Sequence, residues 1–191
     1  MTFTLGGTSG NVTVLAAGWL NAEHVWFVAV ASGAADLPYT GTPCAATGGS
    51  ASVNCAIWGV IDVDQGVLLS LNGQRDMSVS KATLIGDRLF IAGSPQNQAL
   101  PQSGGSALPP ISASGGHLLV KPPVGSPEFG SYLPAEFRVF DIVQVGDDVI
   151  LAGSAPCPES PIHYASSRPV RLLRLDTSLT ARHVGRAVGA D

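Results

Sequence analysis

Apolar and polar residues alternate over many short stretches of this chain, and few apolar residues recur at the three-and-four spacing of a helix. The alternation predicts strands at 11–17, 24–31, 56–62, 67–71, 77–85, 88–92, 117–121, 136–145, 148–152, 170–175 and 181–188. Between them stand Asp-Gln-Gly, Asn-Gly-Gln, Gly-Asp-Arg, Gly-Asp-Asp and Asp-Thr-Ser, residues that reverse a chain tightly. The best helical stretch is 16–31. Val25, Trp26, Phe27, Val28 and Val30 load it with β-branched and aromatic side chains, so it reads as extended, with a helix as the alternative. Many short strands with this punctuation predict an all-β fold.

One phrase occurs twice. Residues 86–94 read GDRLFIAGS and residues 146–154 read GDDVILAGS, each after an alternating stretch. A tight Gly-Asp turn feeds an apolar strand that ends where only small residues fit. Short apolar strands follow each copy, HLLVK and VRLLRLD, and residues 10–33 look like a worn version of the same unit. Self-similarity of this kind marks a structural unit used repeatedly. Units near 10–85, 86–145 and 146–191 are expected within one all-β domain spanning 1–191, which is itself open to being a fragment of a longer chain. Both faces of the repeated strand are apolar. Leu89, Ile91, Val149 and Leu151 are therefore expected in one environment, and Phe90 and Ile150 in the opposite one.

Residues 86–94, 146–154 and 172–179 (LLRLDTSL) resemble bacterial repeat β-propellers of the kelch, quinoprotein-like and delta-60 type. That resemblance implies four-stranded antiparallel blades. Three units are below the usual four-blade minimum, and they are longer than the roughly 40–50 residues of such repeats. The expected fold is thus a partial or oligomer-completed propeller of about three units, with a β-sandwich as the alternative. On the closure model, residues 2–5 pair as a strand with 181–188 or with a neighbouring chain.

Composition narrows the possible partners. Of 191 residues, 45% are hydrophobic and 13% charged, against roughly 25% charged in an average domain. Stretches 37–61 and 89–120 carry no Asp, Glu, Lys or Arg. A surface of Ser, Thr, Gly, Asn and Gln suits an extracellular or particle-surface protein. Net charge is −4 without a basic patch, which argues against nucleic acid. No uncharged apolar run approaches the ~20 residues of a membrane span, and the first residues lack a signal-peptide pattern. Residues 94–116, uncharged and rich in Pro, Ser, Gln and Gly, are too long for a routine hairpin. They are expected either to be flexible or to lie along a partner subunit.

Candidate chemistry is sparse. Of three cysteines, Cys44 and Cys55 bracket a Gly/Ser/Ala loop and are candidates for a disulfide in an oxidising compartment, the alternative being free thiols. Asp62 and Asp64 in IDVDQG are the candidate metal ligands, weighed against a hairpin turn with solvated carboxylates. The stretch CPESPIHYASSRP brings Glu159, His163 and Arg168 together in one loop, and these are the only catalytic candidates. Nucleophile-elbow, phosphate-loop, dinucleotide and zinc-protease patterns are absent, and no cofactor is implied. The expectation is a non-catalytic structural or protein-interaction module, a subunit of a larger homo- or hetero-oligomeric assembly. The alternatives are a propeller-type hydrolase or lyase with a loop-built site, and a viral or phage tail or capsid β-sandwich protein.

Overall fold

Alternating and doubly apolar stretches pair locally wherever a short turn lets a strand fold back on its predecessor. The computed structural model describes residues 11–32, 54–75, 77–95, 116–125, 129–133, 137–154, 170–175 and 181–186. Among them are twelve strands and no helix. The strands are β1 (Asn11–Trp19), β2 (His24–Ser32), β3 (Asn54–Asp62), β4 (Val67–Arg75), β5 (Met77–Ile85), β6 (Arg88–Pro95), β7 (His117–Lys121), β8 (Phe129–Tyr132), β9 (Arg138–Val145), β10 (Asp148–Ser154), β11 (Val170–Leu175) and β12 (Ala181–Arg186).

They form three open four-stranded antiparallel sheets, each a meander in chain order: β1–β4, β5–β8 and β9–β12. Each sheet begins one strand before the repeated phrase. The Gly-Asp turns join the first strand to the second, with Ile85 opposite Arg88 and Val145 opposite Asp148. Gly86 and Gly146 both have φ of +60°, the left-handed conformation that a two-residue hairpin loop demands.

Within stretch 16–31 lie the end of β1 and most of β2, in line with the separate strands expected at 11–17 and 24–31, joined through Leu20–Glu23. Asn21 makes that turn, its Oδ1 accepting from Glu23 N at 2.9 Å and His24 N at 2.8 Å. The partner of the phrase in the first sheet is therefore β2, not the stretch before it. Strand β8 was not anticipated. It is only four residues, FGSY, with a glycine inside and prolines on both sides, too short for alternation to register.

Register places a bulge at the same position in every sheet. The extra residue on the first strand is Leu15, Ser80 or Phe140, each lying between the residues opposite Ala29 and Val28, Gly93 and Ala92, or Gly153 and Ala152. A bulge increases local twist, and all three first strands carry it at the same register position. At Gly93 and Gly153 the first strand comes so close that a Cβ would overlap the carbonyl oxygens of Ser78 and Arg138. The Ala-Gly-Ser ending of the phrase is the local cause.

The sheets stack face to face. Trp26, Val28, Trp58 and Val60 of the first sheet meet Ala82, Leu89, Ile91 and Leu119 of the second. Phe90, Ala92, Leu118 and Val120 on the opposite side of the second sheet meet Ile142, Val149, Leu151 and Leu173 of the third. Leu89 and Ile91 of the first copy, and Val149 and Leu151 of the second, therefore face the preceding sheet. Phe90 faces the following one, whereas Ile150, its equivalent, faces a side against which no described sheet packs. A third cluster, including Phe27, Ile57 and Leu71, buries the remaining face of β2–β4. Residues 2–5, residues 96–115 of the arm, and the tail after Arg186 lie outside the described residues.

Candidate functional site

Glu159, His163, Arg168 and Cys44 lie outside the described residues, so the loop-built trio and the Cys44–Cys55 pairing have no geometry here. Cys55 itself is buried on β3. Asp62 and Asp64 sit at the β3–β4 turn. The Asp62 carboxylate accepts from Gln65 N at 2.8 Å, and its carbonyl accepts from Gly66 N at 3.0 Å. His24 Nε2 stands 3.9 Å from Asp62 Oδ2, and Val63 N donates to Glu23 O at 2.9 Å, which ties this turn to the β1–β2 turn. Asp64 points into solvent. Among the described residues no group of three His, Cys, Asp or Glu side chains is arranged to hold a metal ion.

Among the described residues the two fully buried ionisable side chains lie on β7, expected from the sequence only as a strand. His117, Leu119 and Lys121 share the face toward the first sheet, and Leu118 and Val120 face the third. Lys121 is fully buried. Its ammonium donates to Pro122 O and to Pro123 O (3.1 Å for the latter) and stands 5.8 Å from the centroid of the Trp58 ring. Burial pushes its pKa down to about 8, which leaves it mostly protonated at neutral pH. Two carbonyls of its own segment satisfy this cation, and the Trp58 ring of the first sheet lies beside it.

His117 is also fully buried, with its ring over Gly93, and neither ring nitrogen has a hydrogen-bond partner. Desolvation lowers its pKa to about 4, so the imidazole is neutral near pH 7. About four residues of strand, on the order of 13 Å, separate it from Lys121. The two do not form one site. A histidine and a lysine flanking an apolar Leu-Leu-Val was the available sequence signal for buried charge.

The feature with reach outward is the exposed side of the third sheet. Val143 on β9 is 43% exposed and Leu172 on β11 is 40% exposed, with half-buried Ile150 and Ala152 of β10 between them. Asp141 and Arg174 edge this strip. Asp141 Oδ1 lies 2.7 Å from Lys81 Nζ on β5, and that hydrogen bond holds its carboxyl below the usual carboxylate range. Arg174 pairs with Asp148. No protein-family model matches the chain, and no curated protein or solved structure does either.

Proposed function

We propose that this chain is a structural, protein-binding module of a larger assembly, and that its sheets are consecutive blades of a propeller-like ring. One observation carries the reading. The side of the third sheet that no described strand covers uses the same register positions that form the core beneath the second. Leu172 corresponds to Leu118, Ile150 to Phe90 and Ala152 to Ala92, each fixed by its cross-strand partners. In the second sheet those residues are buried; in the third they are exposed or half-buried. Contiguous exposed apolar surface on a regular sheet marks a place for another protein surface. The low charge and the Ser/Gly-rich composition fit a particle-surface or extracellular setting, in which Cys55 pairs with Cys44.

The test is photo-cross-linking in cells that produce the protein, with a photoreactive residue at position 172 and a control at the exposed turn position 147. A defined protein adduct at 172 and none at 147 is the expected result. Absence of any protein adduct at 172 overturns the reading.

A further inference from the structure

The second sheet departs from the first at its third strand. Register makes Ile57, His117 and Arg171 equivalent, opposite Ala29, Gly93 and Gly153. It likewise makes Ile61, Lys121 and Leu175 equivalent, opposite Val25, Leu89 and Val149. On the side of β7 that meets the first sheet, two ionisable residues thus stand where β3 buries isoleucines. An apolar residue would fill both places without the cost of taking an ionisable group out of water.

The two groups are not alike. The Lys121 ammonium has carbonyl partners, and the His117 imidazole has none. A neutral imidazole carries one donor and one acceptor, and here neither is met. A Cβ at Gly93 would stand 2.9 Å from His117 Cε1, so the ring is packed tightly against β6.

A proton on this ring meets no counter-charge among the described residues. Across the joint the first sheet presents Trp26, Val28, Ala56 and Trp58. Within its own sheet, β5 brings Met77 and Ser78, β6 brings Gly93, and Tyr132 stands opposite on β8. The charged residues at this end of the strands are cations: Arg75, Arg138, Arg171 and Arg186. Lys121 adds another on the same face of β7. Glu23, Asp62, Asp64, Asp87, Asp147 and Asp148 stand at or beside hairpin turns at the other end, and Asp141 on β9 is paired with Lys81.

We propose that protonation of His117 parts the first sheet from the second, making their joint an acid-operated release. Opening gives both ring nitrogens water, whereas the closed joint would hold the imidazolium dry and unpaired. The release belongs to this joint because the ring faces it. The contact between the second and third sheets is made by apolar side chains on the other face, with the Lys81–Asp141 bridge between their first strands. The proposal goes beyond the module reading and does not depend on which partner meets the third sheet.

Burial holds the pKa of His117 in the closed joint near 4, against 6.5 for a free imidazole. The opening equilibrium therefore keeps its neutral value above about pH 6.5. Below that it rises about tenfold per pH unit, levelling off near 300-fold, roughly, below pH 4.

Thiol labelling reads that equilibrium. One chain carries Ala82→Cys, in the joint between the first and second sheets, and another carries Ala92→Cys, on the face toward the third. Both sites are buried. The probe is a pyridyl disulfide, which reacts in acid. Its rates are divided by those of a free thiol at the same pH and resolved by peptide, so that the native cysteines do not enter. Between about pH 7.5 and about pH 4.5, position 82 is expected to gain about 70-fold and position 92 less than about twofold. His117→Leu removes the gain. His117→Gln, which stays polar but cannot titrate in this range, serves if the leucine variant fails to fold. No gain at position 82, an equal gain at both positions as in global unfolding, or a gain that persists in the His117 variants each overturns the proposal.

Discussion

The second and third sheets carry the same phrase, the same Gly-Asp turn, the same bulge position and the same register, yet their sides differ sharply in burial. Phe90 is 2% exposed and its counterpart Ile150 is half-buried; Leu118 is fully buried and Leu172 is open. Local sequence prepares both faces of each strand for burial. Whether the second face is covered depends on the next sheet in the stack. The bulge residues show a related contrast. The middle sheet has Ser80, whose hydroxyl donates to Ala92 O at 3.3 Å, whereas the outer sheets have the large apolar residues Leu15 and Phe140.

The sharpest way to break the comparison is truncation at equivalent sites. Phe90→Ala is expected to lower unfolding free energy by about 3–5 kcal/mol, the usual cost of emptying an aromatic site in a core. Ile150→Ala is expected to cost roughly 1 kcal/mol in the monomer, because much of its side chain already meets water. Urea unfolding of both variants reads the difference. Equal losses would mean that the outer side of the third sheet is covered as fully as that of the second.

Next in size is acid. His117 is neutral when folded, with its pKa near 4 against 6.5 for the free group. Between those values the unfolded chain holds a proton that the folded chain does not. Stability is therefore complete above about pH 6.5 and falls as pH drops toward 4, by up to about 3 kcal/mol. His117→Leu is expected to flatten that part of the profile. Other acid-sensitive groups are common to both chains, so the difference between the two pH curves isolates His117. A third-sheet histidine is not available for this contrast: the position equivalent to His117 is Arg171.

Glycine substitutions come third. Gly93→Ala and Gly153→Ala drive a methyl into the facing first strand and are each expected to cost about 1–3 kcal/mol, as overpacking does. Gly86→Ala and Gly146→Ala meet no neighbouring atom, and only the left-handed backbone opposes them, at roughly 1 kcal/mol. Matching losses within each pair, measured by thermal unfolding, are the expected signature of a true structural repeat. The smallest effect belongs to the Lys81–Asp141 bridge between the second and third sheets. Both side chains are well exposed, so Lys81→Met is expected to change stability by no more than about 1 kcal/mol. It should also raise the Asp141 pKa, which carboxyl-carbon NMR titration detects.

Much of the fold was legible in the chain. Alternation located eleven of the twelve strands, because each is long enough for a two-residue period to register. Gly86 and Gly146 announced their turns, because few residues other than glycine accept a positive φ at such low cost. The small residues at Gly93 and Gly153 signalled close approach, though not of which strand. The grouping into sheets was not legible. A hairpin turn looks the same whether it joins two units or lies within one, so the sheets begin one strand earlier than the phrase suggested.

Tertiary structure alone decided which face of each strand became core. It packed Phe90 beneath the third sheet and left Ile150 half in water, although both stand at the same place in the same phrase. It also buried Lys121 over Trp58, a contact between strands of two sheets that no local pattern encodes. The physical reason is range. Turn conformation and strand period are set by neighbouring residues, whereas burial is set by whatever surface arrives from elsewhere, and for the last sheet of a stack that surface is not written in the strand itself.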